Sequence, residues 1–251
     1  VAGALVAWTG ASSAFVIAAI LSVGAVALLR GVPEPPRAAP APHRLRRDLQ
    51  DGAGFVWRHP LLRPILWTAV VWNLSWFVLQ AAYVPYAAQV LGLDALGIGA
   101  TLASYGLGLV AGAVIAGRLI RHLSFGTAIA LGPVVSVAAG AAMTATIAVP
   151  APLLAALSLF GFGAGPIVWV ISTTSLRQTV TPEGLIGRVS ALFMTANAGA
   201  RPIGAAIGGL VGASSGPASC IVLAAIGFVL QAAIILASRA ARLESLDKTA
   251  S

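Results

Sequence analysis

Carboxylates are scarce in this 251-residue chain, and none of them interrupts an apolar run. All seven, Glu34, Asp48, Asp51, Asp94, Glu183, Glu244 and Asp247, fall in connections or tails. A carboxylate acid–base pair or proton relay inside the apolar part of the chain is therefore excluded. Cysteine occurs once, as Cys220, so the chain can form neither an internal disulfide nor a thiolate metal site. The three histidines, His43, His59 and His122, lie in connections without the spacing of metal ligands. No GxxxxGK loop is present, which argues against ATP hydrolysis by the chain itself. No covalent catalysis, cofactor or metal is expected.

Apolar residues fill the sequence instead. They make up 59% of it against 9% charged residues, and the mean hydropathy of +0.95 lies outside the range of soluble domains. The runs Ser13 to Leu29, Pro64 to Leu91, Gly97 to Gly117, Phe125 to Ala148, Pro152 to Ser175, Val189 to Gly212 and Pro217 to Ser238 are each about long enough to cross a bilayer as a helix. They are continuous blocks without the polar–apolar alternation of a porin strand, so the expected class is an all-α integral membrane protein. The opening VAGALVAW is apolar from its first residue and has no basic leader, which reads as the tail of an eighth helix and the chain as part of a longer polytopic protein.

The charge of +8 reports topology. Every lysine and arginine except Arg201 falls in alternate connections: Arg30 to Arg63, Arg118 with Arg121, Arg177 with Arg188, and the tail from Arg239. The opposite turns, TGAS, LGLDAL, AVPAP and GASSGP, carry none, which assigns the basic side to the cytoplasm of a bacterial inner or plasma membrane. The basic stretch HRLRRDLQ at His43 to Gln50 has the membrane surface as its ordinary partner, and no nucleic acid is expected. Within that long connection GVPEPPRAAPAP is proline-rich and extended, whereas Leu45, Leu49, Phe55 and Val56 fall near helical spacing and predict an amphipathic surface helix.

Three segments carry a resemblance to a family. DLQDGAGFVWRHPLLRPIL from Asp48, GRLIRHLSFG from Gly117, and LRQTVTPEGLIGRVSA with GARPIGAAIGG from Leu176 to Gly209 resemble the central loop, the loop between helices eight and nine, and the loop between helices ten and eleven of the major facilitator superfamily. Within it they are similar to the bacterial efflux branch of siderophore and macrolide exporters. The resemblance implies that 1–29 is the end of an N-terminal bundle, 30–63 a cytoplasmic linker, 64–238 the C-terminal six-helix bundle of a twelve-helix fold, and 239–251 a cytoplasmic tail. It implies secondary active efflux of an organic small molecule by alternating access, with uptake by the same fold, or membership of an ATP-driven complex, as alternatives. The partners it implies are the substrate, the lipid bilayer and an N-terminal bundle, which would also hold any proton-coupling site. It further implies gating roles for Arg118, Arg121, Glu183 and Arg188. Arg121 stands where the superfamily's loop motif has an aspartate, so a charge relay there needs another carboxylate, for which Glu183 is the candidate; the alternative is that Glu183, following Pro182, only supplies the negative charge favoured in the first turn of a short helix.

Two sets of residues are candidates for the substrate. Asn73, Trp76, Gln80 and Tyr83 recur at helical spacing and fall on one face within roughly 80°. Such a polar and aromatic stripe suits a bulky amphipathic ligand, or else interhelical hydrogen bonds and packing. Trp169, with Ser172 and Thr173, is a second candidate, although hydroxyls in membrane helices often bond only their own backbone. Arg201 stands alone: a central arginine costs roughly 2.5–3.5 kcal/mol on insertion scales. Gly204, Gly208 and Gly212 share its helix face, so Arg201 is expected to point into the bundle. Its expected partners are backbone carbonyls, Asn197, water, an acid from the other bundle or an anionic group on the substrate. The alternative is a structural clamp at a break made by Pro202.

Overall fold

The computed structural model describes residues 16–17, 19–28 and 45–244, and within the last stretch it describes side chains from residue 50 onward. The chain falls into two units, Val1–Arg44 and Leu45–Ser251. In the first, the described backbone is helical at 16–17 and over Ala19–Leu28, the apolar helix α1. The expected eighth-helix tail VAGALVAW, the outer parts of the first span, the proline-rich stretch with His43, the side chains of Leu45 and Leu49, and the tail with Asp247 and Lys248 lie outside the described residues.

The second unit runs α2 (Leu45–Arg58), α3 (Leu62–Gln89), α4 (Ala95–His122), α5 (Phe125–Ala145), α6 (Pro152–Val180), α7 (Ile186–Ser215) and α8 (Pro217–Leu236), with 3₁₀ turns at Glu183–Leu185 and Arg239–Arg242. Local chemistry sets the boundaries. The Asp94 and Ser124 side chains accept hydrogen bonds from Gly97 N–H (2.8 Å) and Thr127 N–H (3.3 Å) at the starts of α4 and α5. Pro152 and Pro217 open α6 and α8, where a missing N–H is harmless. Gly92 and Gly216 reverse the chain at positive φ, 65° and 82°, a region that side chains disfavour.

Among the described helices, α3, α4, α5, α6 and α8 are long and apolar enough to cross a membrane. α7 has the length, at 30 residues, but not the apolarity of the other five, because Arg188, Asn197, Arg201 and several glycines replace bulky apolar side chains. The break expected at Pro202 does not occur: α7 is helical through it.

Neighbouring helices pack in the order α4, α6, α5, α8, α3, α7. Two seams are backbone-close. Gly108 and Gly163 face Phe160 and Tyr105 across α4 and α6, and Gly204 and Gly208 face Leu74 and Val78 across α7 and α3; a methyl group at any of the four would collide with main chain.

The apolar interior divides into two larger clusters. One, near the ends that carry the basic connections, holds Val56, Leu62, Ile65, Ile129, Leu176, Val189 and Ile235. The other, toward the opposite ends, holds Leu79, Tyr83, Tyr86, Met143, Leu159, Phe162, Ile221 and Phe228. Between them lies a polar layer. Gln231, fully buried, donates from Nε2 to Pro133 O (3.1 Å) and Phe228 O (3.0 Å), and Trp72 Nε1 donates to Ser136 Oγ (3.0 Å). Polar groups at such depth persist only when bonded, so this layer fixes the register of α3, α5 and α8.

Helix α2 belongs to this unit. Phe55 and Val56 pack into the first cluster, and Gly52 brings the helix against the backbone of Arg188 at the start of α7.

Candidate functional site

The polar layer opens into a cavity of about 270 Å³ to which every helix from α3 to α8 contributes. Helix α3 supplies Trp72 and Asn73, α4 Tyr105, α6 Trp169, α7 Asn197 and Arg201, and α8 Gln231. Arg201 lies about 22 Å along α7 from Ile186 and about 21 Å from Ser215, which places the charge midway along the helix.

The close α3–α7 seam determines what Arg201 meets. With Gly204 and Gly208 on the backbone of α3, Arg201 Nε donates to Asn73 Oδ1 at 3.3 Å, and its guanidinium carbon stands 5.7 Å from the centre of the Phe77 ring. The cation–π contact and the amide bond offset part of its desolvation. Asn73 is held for this task, since its Nδ2 donates to Ala69 O (2.9 Å) and leaves Oδ1 as acceptor. Arg201 is thus turned toward α3 but is exposed along the open side of the bundle, where the sequence suggested an inward-facing residue. Of the glycine stripe, Gly204 and Gly208 form the seam with α3, while Gly212 meets only Cys220 Sγ.

The sequence stripe on α3 divides. Asn73 lines the cavity. Trp76 is 5% exposed and is stacked between Trp72 (centroids 5.6 Å apart, planes at 17°) and Tyr105 (5.0 Å, 23°), with Phe162 on a third side at 5.2 Å. It therefore holds two walls of the cavity from behind. Tyr83 is buried in the core and donates from its hydroxyl to Thr101 Oγ1 at 2.6 Å, while Gln80 is exposed. On α6, Trp169 lines the cavity; Thr173 bonds back to Trp169 O (2.7 Å), and the buried Ser172 hydroxyl has no partner among the described residues.

Trp72, Tyr105 and Gln231 are cavity residues that the sequence did not single out. Two of them carry a signal in retrospect: Gln231 is the one amide in α8, and Tyr105 is the one phenol in α4.

At the basic end of the bundle the gating candidates are dispersed. Arg118 and Arg121 are exposed at the end of α4, and Glu183 is exposed in the 3₁₀ turn before α7. Arg188 bridges to Asp51 of α2, Nη1 to Oδ2 at 3.3 Å. Asp51, which the sequence did not single out, is thus a carboxylate beside one of these arginines. No group of three or more His, Cys, Asp or Glu side chains gathers among the described residues.

Residues 1–205 match the sequence profile of the Major Facilitator Superfamily. Over 245 residues the chain is 29% identical to an uncharacterized MFS-type transporter of Sinorhizobium fredii strain NBRC 101917 / NGR234, a match that covers 92% of this chain and 56% of that protein. The chain thus spans about half the length of the curated relative it matches.

Proposed function

Because the chain belongs to the major facilitator superfamily, a family of membrane transporters, we propose that it takes part in secondary active transport of an organic small molecule by alternating access, with efflux as the working direction. The observation that supports this reading most is the cavity itself. It lies midway along the helices and combines aromatic walls with a few convergent polar groups and one cation, the composition of a small-molecule site. Asn73, Trp169 and Arg201 are proposed to touch substrate, and Gln80 to complete the site from its exposed position. Trp76 and Tyr83 are proposed to act by positioning, through Trp72, Tyr105 and Thr101.

Movement needs a surface to move against. Arg201 is exposed, as are Leu107, Val110 and Val114 of α4 and Met194 of α7, and we propose that a second bundle rocks against these helices. The exposed pair Arg188–Asp51 ties the start of α7 to α2 with a strength suited to a latch, since such pairs contribute about 0–1 kcal/mol. Arg118, Arg121 and Glu183 are proposed to exchange partners at the same end as the bundles rock.

The test is flux of a panel of drugs, macrolides and siderophores in membrane vesicles containing the full-length protein. Accumulation in inside-out vesicles, driven by an ion gradient and independent of ATP, is expected. Accumulation in right-side-out vesicles would reverse the direction to uptake. Flux that needs ATP and a co-purifying ATPase would replace secondary transport by a pump, and an absence of flux in both orientations would overturn the transport reading.

A further inference from the structure

Three features of the cavity point to a ligand. The first is a charge: Arg201 commits only Nε, to the neutral Asn73 Oδ1, and leaves the two terminal nitrogens of its guanidinium uncommitted among the described residues. Of the described acidic side chains, Asp94, Glu183 and Glu244 lie at helix ends or beyond and Asp51 lies on α2 beside Arg188 near the start of α7, so nothing described at this depth neutralises it. The second is a pair of acceptors. Asn197 Oδ1 and Gln231 Oε1 are buried, belong to residues that line the cavity, and receive no hydrogen bond among the described residues. Gln231 cannot cure this by turning its amide over, because its nitrogen is held by Pro133 O and Phe228 O together. The third is the set of flat walls, Trp72, Tyr105 and Trp169, of which the first two are kept in place by Trp76 stacked behind them.

We infer that the molecule taken by this cavity is a planar organic monoanion that also carries an N–H or O–H donor. Its carboxylate or sulfonate pairs with the free edge of Arg201, its ring lies against Trp72, Tyr105 and Trp169, and its donor reaches Gln231 Oε1 or Asn197 Oδ1. Competing classes fare worse for stated reasons. A cation meets an unneutralised guanidinium at close range, where like charges repel. A neutral apolar molecule would displace water and leave one charge and two buried acceptors unpaired, the costly arrangement for polar groups. A guanidinium edge matches the two oxygens of a carboxylate in geometry as well as in charge. The assignment rests on the transport reading for what the site is used for, but binding can be measured without transport.

Four dansyl compounds share one fluorophore that accepts energy transfer from Trp72 and Trp169: dansylglycine (anion with N–H), dansylsarcosine (anion without N–H), dansylamide (neutral) and dansylcadaverine (cation). Titrated into full-length protein in lipid nanodiscs, dansylglycine should bind roughly tenfold to a hundredfold more tightly than dansylamide, the range of a charged hydrogen bond. Dansylsarcosine should fall several-fold below dansylglycine, and dansylcadaverine should bind weakest. Arg201→Gln should reduce dansylglycine to the level of dansylamide, Arg201→Lys should restore part of the difference, and removal of both acceptors by Gln231→Leu with Asn197→Leu should erase the gap between dansylglycine and dansylsarcosine. Circular dichroism checks folding; if Arg201→Gln does not fold, the ranking on unaltered protein and the Arg201→Lys result decide. Equal or tighter binding of dansylamide or dansylcadaverine, no binding of dansylglycine, or unchanged affinity in folded Arg201→Gln would overturn the inference. Binding in this order without flux of any of the four would instead overturn transport and leave the anion site standing.

Discussion

Trp76 and Gln80 are four residues apart on α3, yet one is clamped among three aromatic rings and the other is exposed. Trp76→Ala should therefore destabilise the protein by about 3–5 kcal/mol, as loss of a large buried aromatic does, and should weaken substrate binding through the slackened Trp72 and Tyr105 walls. Gln80→Ala should change stability by less than about 0.5 kcal/mol. If Gln80 touches substrate, its loss lowers flux alone; thermal melting in detergent beside vesicle flux separates the two effects. His59 presents a different residue-scale case, in the connection before α3. Its Nδ1 accepts from the N–H groups of Leu61 and Leu62, at 3.3 Å each, and so satisfies donors at the start of α3. Burial holds its pKa below the ordinary 6.5, because desolvation disfavours the charged form. A depressed pKa means that neutral His59 contributes stability in full above 6.5 and loses it as pH falls through the lower folded value. Protonation would also set a positive charge at the positive end of the α3 dipole. Melting at pH 7.5 and at pH 5 should show a loss on acidification that His59→Ala removes, the variant resembling the acidified protein at both pH values.

At the scale of elements, α7 is held by a seam whose geometry depends on two missing side chains. A methyl group at Gly204 would strike the main chain of Leu74, whereas one at Gly209 meets nothing within 4 Å. Gly204→Ala should push α7 from α3, separate Arg201 from Asn73, and lower both the melting temperature and anion binding. Gly209→Ala should be neutral or stabilising by about 0.5–1 kcal/mol through the greater helix propensity of alanine. Equal melting temperatures for the two variants would show that the seam does not fix α7. Helix α4 depends in the same way on its seam with α6, at Gly108 and Gly163, while Leu96, Leu107, Val110, Val114 and Ile115 remain exposed.

For the whole molecule, the antiparallel run of helices gathers the basic connections at one end of the second unit. The C-terminal turn Arg239–Arg242 leads into Leu243, whose carbonyl accepts from Gly126 N–H at 2.7 Å, so the tail and the α4–α5 turn share that end. Arg188 with Asp51 marks it again at the α6–α7 turn. If this end faces the cytoplasm, a cysteine at exposed Ser124 should resist an impermeant maleimide in intact cells, while one at exposed Ser215 should react. A Cys220→Ala background suits the assay, since the native thiol is buried. Labelling of Ser124 rather than Ser215 would invert the topology.

The sequence by itself determined the class, the approximate spans and the grouping of charges, because length, hydropathy and the cost of burying charge act along the chain without reference to neighbours. The resemblance carried in three segments of the chain likewise identifies the family without reference to the fold. Tertiary structure alone decided which members of a helical face meet the cavity. Spacing put Asn73, Trp76, Gln80 and Tyr83 on one side of α3, but that side is shared among neighbouring helices and the open edge. Trp76 and Tyr83 therefore became core, while Tyr105 and Gln231, from helices with no such stripe, became walls. Hydropathy cannot show this, because a residue's exposure depends on which backbone approaches it, and the approach is set by glycine seams between segments far apart in sequence, such as Gly204 against Leu74. The pairing of Arg188 with Asp51 is of the same kind: the two are 137 residues apart, and the packing of Gly52 against α7 brings them together.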